Sequence, residues 1–156
     1  MDTLTLARAL HVLAIVHWIG GVAMVTLVLL PGLIRAVPAG ERLALFEMIE
    51  GRFGRQAKIS TALAGASGLW MVWELDLWAG FADPARWWLG AMLAVWAIFT
   101  LVLFVAEPLV LHRWFHARSL RDPDGTFRLV LRLHRVLLAL SLVTVAGAVL
   151  GAHGAI

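Results

Sequence analysis

The stretch that decides the fold is His11-Val-Leu-Ala-Ile-Val-His-Trp-Ile-Gly-Gly21, which continues in mostly apolar residues as far as Leu30. A bilayer core needs about 20 apolar residues of helix, and this run is long enough to cross one. The run nevertheless carries two histidines, His11 and His17. Ionisable groups at membrane depth are costly and usually serve a function. The stretch therefore predicts a transmembrane helix whose histidines take part in the activity of the protein.

The composition of the whole chain is that of a membrane protein. Of the 156 residues, 62% are hydrophobic, which is far above the usual globular share, and the length suits one domain over residues 1–156. The net charge of +3 comes from arginines between apolar runs, so nucleic acid is not an expected partner. The absence of cysteine excludes disulfides and thiolate ligands. Residues 1–9 lack the charged start of a secretory signal, so we expect the first run to be kept.

Four apolar runs predict an all-α integral membrane protein built as a four-transmembrane-helix bundle. The expected helices cover residues 7–30, 57–78, 87–111 and 129–153. Eleven of the thirteen Lys and Arg residues lie in or beside the first and third linkers, and the other two are Arg8 and Arg86. The positive-inside rule then places these linkers in the cytoplasm and both termini in the periplasm, as for a bacterial inner-membrane protein. Apolar residues at helical spacing over 41–53 predict a short interfacial helix between the first two spans, and 122–125 read as a turn.

Small residues recur every fourth position in two of the predicted spans. Ser60, Ala64 and Gly68 form one such row, and Gly147 and Gly151 form another. Rows of this kind let helix backbones approach closely in lipid. We interpret both rows as packing surfaces inside the bundle, with dimerisation as the alternative.

Polar residues near the predicted outer surface form the first candidate site. His11 lies one turn into the first helix, His153 ends the fourth, and Glu74 and Asp76 close the second. All four should lie within a few ångströms of one level. His17 is six residues from His11 and points about 120° away around the helix, so we expect it to hydrogen-bond a neighbouring helix.

A second group of polar residues lies near the predicted inner surface. His112 and His116 are four residues apart, which places both imidazoles on one helix face. Glu107 and His134 should lie at the same depth on adjacent antiparallel helices. An intramembrane carboxylate needs a partner, so we predict that Glu107 pairs with His134 or with one of the two arginines that flank it.

Haem b and copper are the two cofactors that these residues could hold. Neutral imidazole binds haem iron axially, and the porphyrin needs an apolar slot with cationic anchors. For haem we expect His11 as one axial ligand, His153 or His17 as the other, Arg8 near a propionate and Trp18 beside the ring. Copper would need several ligands at one level. The histidines considered as metal ligands are His11, His112, His116, His134 and His153, with Glu74, Asp76 and Glu107 as the intramembrane acids.

Several of these residues also resemble a known family. The matching positions are His11, Trp18, Gly20, Gly21 and Pro31 in the first run, then Arg52-Phe53-Gly54-Arg55, Gly65 and Gly68. In this layout the chain resembles the copper-resistance protein D (CopD) family, and it is similar to the related HemJ-type protoporphyrinogen oxidases, which are four-helix haem-binding proteins. The resemblance implies that His11 matches the first-helix histidine tied to haem and that His112 loosely matches a later one. The lysine in the third helix of the HemJ type has no counterpart here.

These observations lead us to expect a haem b-binding redox protein of the inner membrane. It would transfer electrons or oxidise a membrane-soluble or porphyrin substrate. The alternative is a CopD-type copper-binding or copper-transport protein without catalysis, and a third option is a scaffold whose histidines only join helices. The expected partners are membrane lipid, a redox partner or quinone, and a second copy of the chain.

Overall fold

The computed structural model describes residues 2–155, and this part of the chain is helical, with no strand. Three continuous helical stretches are long and apolar enough to cross a membrane, namely Thr3–Ala36, Pro84–Arg121 and Pro123–Ala152. The prediction of an all-α, multi-pass membrane protein agrees with these features.

Residues 2–155 contain six α-helices, some of them joined by shorter helical segments. They are α1 (Thr3–Met24), α2 (Leu30–Ala36), α3 (Ala39–Glu74), α4 (Trp87–Leu101), α5 (His112–Arg121) and α6 (Pro123–Ala152). A π-helical turn, Val25–Leu29, joins α1 to α2, and a π-helical segment, Val102–Leu111, joins α4 to α5. The second segment contains Pro108. Proline has no N–H to donate, and the wider π turns accommodate the interruption without ending the helix.

The interfacial helix predicted over 41–53 does not exist as a separate element. It is the first part of α3, which runs for 36 residues without a break. No proline interrupts the charged stretch 52–58, and arginine, glutamine and lysine are good helix formers, so the helix continues through the predicted boundary. The later part of α3 is rich in glycine, alanine, serine and threonine, which explains why α3 is not among the three strongly apolar helices.

The boundary predicted between the last two helices is also wrong. Residues 122–125 are not a free turn but the start of α6. Asp122 accepts a hydrogen bond from the backbone N–H of Gly125 at 2.8 Å, and Pro123 occupies the first helical position. Asp followed by Pro is a helix-start signature as well as a turn signature. The fourth predicted helix therefore begins well before residue 129. The third predicted helix does not end at residue 111 but continues through α5 to Arg121.

Two clusters of apolar side chains form the core. The first lies midway along the bundle and contains Ala14, Trp18, Ile19, Val22, Ala64, Phe99 and Leu138. The second lies nearer the arginine-rich end and contains Val25, Leu30, Leu33, Phe46, Phe127 and Leu131. In the first cluster the rings of Trp18 and Phe99 meet edge to face, with centroids 4.8 Å apart. The first cluster joins α1 with α3, α4 and α6, and the second joins α2 with α3 and α6.

Tryptophans of α4 pack onto glycines of both neighbouring helices. The contacts pair Gly65 with Trp96, Gly147 with Trp87 and Gly151 with Trp88. A Cβ atom at Gly65 would lie only 2.5 Å from the Trp96 ring, and the Trp96 indole N–H donates to the Thr61 carbonyl at 3.0 Å. The row Gly147–Gly151 is thus a packing surface, as predicted, but it receives indole rings rather than a helix backbone.

A buried arginine joins three helices at the arginine-rich end. Arg42, at the start of α3, is only 9% exposed. Its Nε donates to the Val37 carbonyl at 2.7 Å and its Nη2 to the Ile34 carbonyl at 3.0 Å, both at the end of α2. Its Nη1 forms an ion pair with Asp124 in the first turn of α6. The sequence pattern had marked Arg42 only as a charge of the first linker.

Candidate functional site

His11 lies half-buried between α1 and α3. Its Nδ1 is 2.9 Å from the Ala64 carbonyl oxygen and 3.1 Å from the Ser67 hydroxyl. A carbonyl oxygen only accepts hydrogen bonds, so Nδ1 carries the hydrogen and donates it. In a neutral ring this leaves Nε2 with the free lone pair. A Cβ at Gly68 would lie 3.0 Å from the His11 Cε1 atom, so glycine at this position gives the ring its space.

His17, which lies six residues after His11 on α1, also contacts α3. Its Nδ1 is 2.7 Å from the Ser60 hydroxyl, which confirms the predicted interhelical hydrogen bond. The ring is otherwise exposed and lines a groove of about 270 Å³ between α1 and α3, together with Gln56 and several leucines. The row that begins at Ser60 therefore packs against α1 and is flanked by both histidines.

The other outer candidates lie at the ends of helices. His153 follows α6, and its Nδ1 donates to the Val149 carbonyl of that helix at 2.7 Å, with the ring exposed. Glu74 is the last residue of α3, and Asp76 has the left-handed backbone conformation, with φ of 48°. Arg8 is exposed. Within residues 2–155, no three His, Cys, Asp or Glu side chains come together in a group that could hold a metal ion.

Trp18 belongs to the core rather than to a surface. It is only 4% exposed, and its indole N–H has no hydrogen-bond partner among the described residues. The hydroxyls of Thr61 and Thr100 are buried and unpaired in the same way. Buried donors without partners are rare in native proteins. The bundle thus contains three buried polar groups without hydrogen-bond partners among the described residues, one each from α1, α3 and α4.

The predicted partner of Glu107 is wrong. Its carboxylate accepts a hydrogen bond from the ammonium group of Lys58 on α3 at 2.9 Å, whereas His134 donates to the Val130 carbonyl of its own helix at 3.0 Å. Glu107 lies in the π-helical segment. A π turn holds more residues than an α turn, which changes the face on which a side chain emerges. Helical spacing alone could not place Glu107 opposite α3.

The histidines of α5 lie beside acidic residues of α3. His116 Nδ1 is 3.0 Å from the Glu47 carboxylate. Burial raises the pKa of Glu50, the negative charges of Glu107 and Glu47 raise it further, and His112 opposes them. We call Glu47, Glu50, Lys58, Glu107, His112 and His116 the inner charge cluster.

The α3 members of the inner charge cluster were missed by the sequence analysis. The sequence nevertheless contained a signal for them. Glu50 and Lys58 lie three and eleven residues after Glu47, so all three share one helix face. Glu47 and Glu50 lie in the predicted interfacial helix 41–53, whereas Lys58 lies outside it, so the prediction divided this face at a helix boundary. In the continuous α3 this face meets the π-helical segment and α5.

Comparison of the chain with known protein families, curated proteins and solved structures found no match.

Proposed function

We propose that this chain is a four-helix protein of the bacterial inner membrane that binds haem b through His11 and serves in redox chemistry. In this arrangement the later part of α3 is the second span, and both termini lie in the periplasm. The concentration of arginines at the opposite end of the bundle supports this orientation through the positive-inside rule. The close contact of α3 with α1 supports its place within the membrane.

The observation that carries the proposal is the hydrogen bond from His11 Nδ1 to the Ala64 carbonyl. Histidines that coordinate metals usually donate their second ring N–H to a carbonyl or carboxylate, which fixes the ring and its tautomer. Here the bond holds Nε2 as the nitrogen available for coordination. The Ser67 hydroxyl steadies the same nitrogen, and Gly68 leaves the ring free of a side-chain contact.

The donor set fits haem better than copper. Haem brings four ring nitrogens, so the protein has to supply only one or two axial imidazoles. A copper ion would need several protein ligands in one place, and His, Cys, Asp and Glu make no group of three within the described range 2–155. His17 or His153 would be the second axial ligand, with Arg8 as the cation for a propionate and Trp18 in the apolar surroundings. Bound haem would supply one-electron redox chemistry for electron transfer or for oxidation of a membrane-soluble or porphyrin substrate.

The test is the visible spectrum of the protein purified in detergent from cells supplied with a haem precursor. We expect a Soret band that shifts on reduction with dithionite and that is lost in His11→Gly. Addition of free imidazole should restore the band, because it replaces the missing side chain; this rescue separates loss of a ligand from loss of the fold.

The matched control is His134→Gly, which removes a histidine that bonds only to its own helix. This variant should keep the Soret band. A colourless wild-type protein after haem supply, or a Soret band that survives in His11→Gly, would refute the proposal. Copper in a colourless protein, detected by elemental analysis, would instead support the copper-binding alternative.

A further inference from the structure

A pocket of about 260 Å³ lies at the arginine-rich end of the bundle, away from His11. The start of α3, α5 and the first residue of α6 line it, through Ala39, Gly40, Leu43, Ala44, Glu47, His116, Ser119, Leu120 and Pro123. A Cβ at Gly40 would meet no atom within 4 Å, so a side chain can be introduced at this lining residue. The pocket is independent of the proposed haem site.

One wall of the pocket is the N-terminus of the 36-residue helix α3. The first N–H groups of a helix have no partner within it, and together with the helix dipole they attract anions. Pro38 precedes the helix, and no side chain of the described residues caps this end. The N–H groups of Ala39 and Gly40 are therefore available to a ligand in the pocket.

The second wall supplies a hydroxyl group that has no partner. Ser119 is only 4% exposed, and its Oγ atom makes no hydrogen bond within residues 2–155. A serine in a helix can donate to the carbonyl four residues earlier, as Ser141 does at 2.8 Å, but Ser119 does not. A buried hydroxyl without a partner destabilises the folded protein. A ligand that accepts a hydrogen bond from Ser119 would supply the missing partner.

The charges around the pocket are mixed. Glu47 lines it and opposes an anion, but its carboxylate is paired with the His116 imidazole at 3.0 Å. Glu41 lies in the first turn of α3, and Arg118 and Arg121 lie in the last turn of α5. The surrounding end of the bundle is rich in arginine, which raises the local concentration of anions.

We propose that this pocket binds a phosphate group, held by the free N–H groups of α3 and by the Ser119 hydroxyl. A phosphate oxygen accepts hydrogen bonds from both kinds of donor. The phosphate can belong to an anionic phospholipid headgroup at the membrane surface or to a soluble phosphate compound. In both cases the pocket would bind the same phosphate group. The two sources can be distinguished by adding either a phospholipid or inorganic phosphate to the protein.

The experiment measures thermal unfolding of the full chain in detergent, followed by tryptophan fluorescence. The additives are inorganic phosphate, phosphatidylglycerol and phosphatidylcholine. A ligand that binds only the folded state raises the unfolding temperature. A rise with phosphatidylglycerol alone identifies a lipid headgroup, and a rise with inorganic phosphate identifies a soluble source. No rise with either, or an equal rise with phosphatidylcholine, overturns the proposal.

A pair of variants of equal size tests the site itself. Gly40→Glu adds a negative charge at a residue that lines the pocket and should abolish the stabilisation by the anion, whereas Gly40→Gln should retain most of it. Both residues are better helix formers than glycine, so neither variant should weaken the fold. Equal responses of the two variants would contradict the proposal.

Ser119→Ala tests the second wall. We expect the apparent affinity for the anion to fall about tenfold, which corresponds to one hydrogen bond to a charged group. Removal of an unpaired buried hydroxyl should at the same time raise the stability of the protein without ligand. A variant that gains stability by the same amount with and without the anion would show that Ser119 does not touch it.

Discussion

Replacement of Arg42 by methionine gives the sharpest test of the fold. The methionine side chain keeps much of the apolar stem but removes all three interactions of the guanidinium group. The two carbonyls at the end of α2, Ile34 and Val37, would lose their charged donor. Asp124, whose side chain is 55% exposed, would lose its ion pair.

The expected loss of stability follows from the separate contributions. A hydrogen bond to a charged group contributes about 1.5–3 kcal/mol, so the two carbonyls account for about 3–6 kcal/mol. The ion pair, whose Asp124 side chain is half-exposed, contributes about 0.2–1 kcal/mol. Arg42→Met should therefore destabilise the protein by about 3–7 kcal/mol, whereas Asp124→Asn should cost about 1 kcal/mol or less. Most of the effect should come from the end of α2 rather than from α6.

The assay is unfolding in detergent micelles by increasing fractions of SDS, read by tryptophan fluorescence. The matched control is Arg35→Met, an exposed arginine in the last turn of α2, which should change the stability by no more than about 0.5 kcal/mol. If Arg42→Met were no less stable than Arg35→Met, or if Asp124→Asn cost as much as Arg42→Met, the assignment of the stabilisation to the α2 carbonyls would be refuted.

Three further predictions concern the inner charge cluster and the packing of α4. Lys58→Met should destabilise the protein by about 1–3 kcal/mol, because it leaves the Glu107 carboxylate without its donor; a double variant that also replaces Glu107 by Leu should recover much of this loss in the same SDS unfolding assay. Burial raises the pKa of Glu50, so the folded protein binds this proton more tightly than the unfolded chain, and the ionised carboxylate costs stability above its folded pKa. Glu50→Gln should therefore raise the stability at pH 8 and change little below the ordinary glutamate pKa of about 4.3, which unfolding curves at several pH values would show. Gly151→Leu should force Trp88 out of its contact and destabilise the protein by about 1–3 kcal/mol, whereas Gly90→Leu, where a Cβ meets no atom within 4 Å, should be tolerated in thermal unfolding.

The sequence predicted the helical class and several contacts, because these depend on local composition and spacing. The apolar run around His17 could only be a membrane helix, and a polar ring at that depth needs a partner on another helix. The row of small residues that begins at Ser60 showed where a neighbouring helix would approach. Together these two features predicted the kind of contact that His17 makes, although not which helix would supply the partner.

Two predictions, namely the turn at residues 122–125 and the partner of Glu107, were wrong because the local sequence is compatible with more than one structure. The residues around Asp122 are typical of a turn and equally typical of a helix start, and in the structure Asp122 caps α6 while Asp124 pairs with Arg42. Glu107 was expected to pair with His134 because both lie at the same depth on adjacent helices, and depth does not determine the face on which a side chain emerges. The π-helical segment around Pro108 turns the Glu107 side chain towards α3. The sequence alone does not indicate where an α-helix changes to the wider π-helix.

The stripe of small residues on α3 links the packing of the bundle to the proposed haem ligand. A helix carbonyl already accepts one hydrogen bond within its helix, and its second lone pair is reachable only where the surrounding side chains are small. Ser67 and Gly68 leave the Ala64 carbonyl open on the side of His11. The same small residues let α1 approach closely enough for Nδ1 to reach that carbonyl. Close helix packing and the choice of tautomer therefore have one cause, and a bulky residue at Gly68 would disturb both at once.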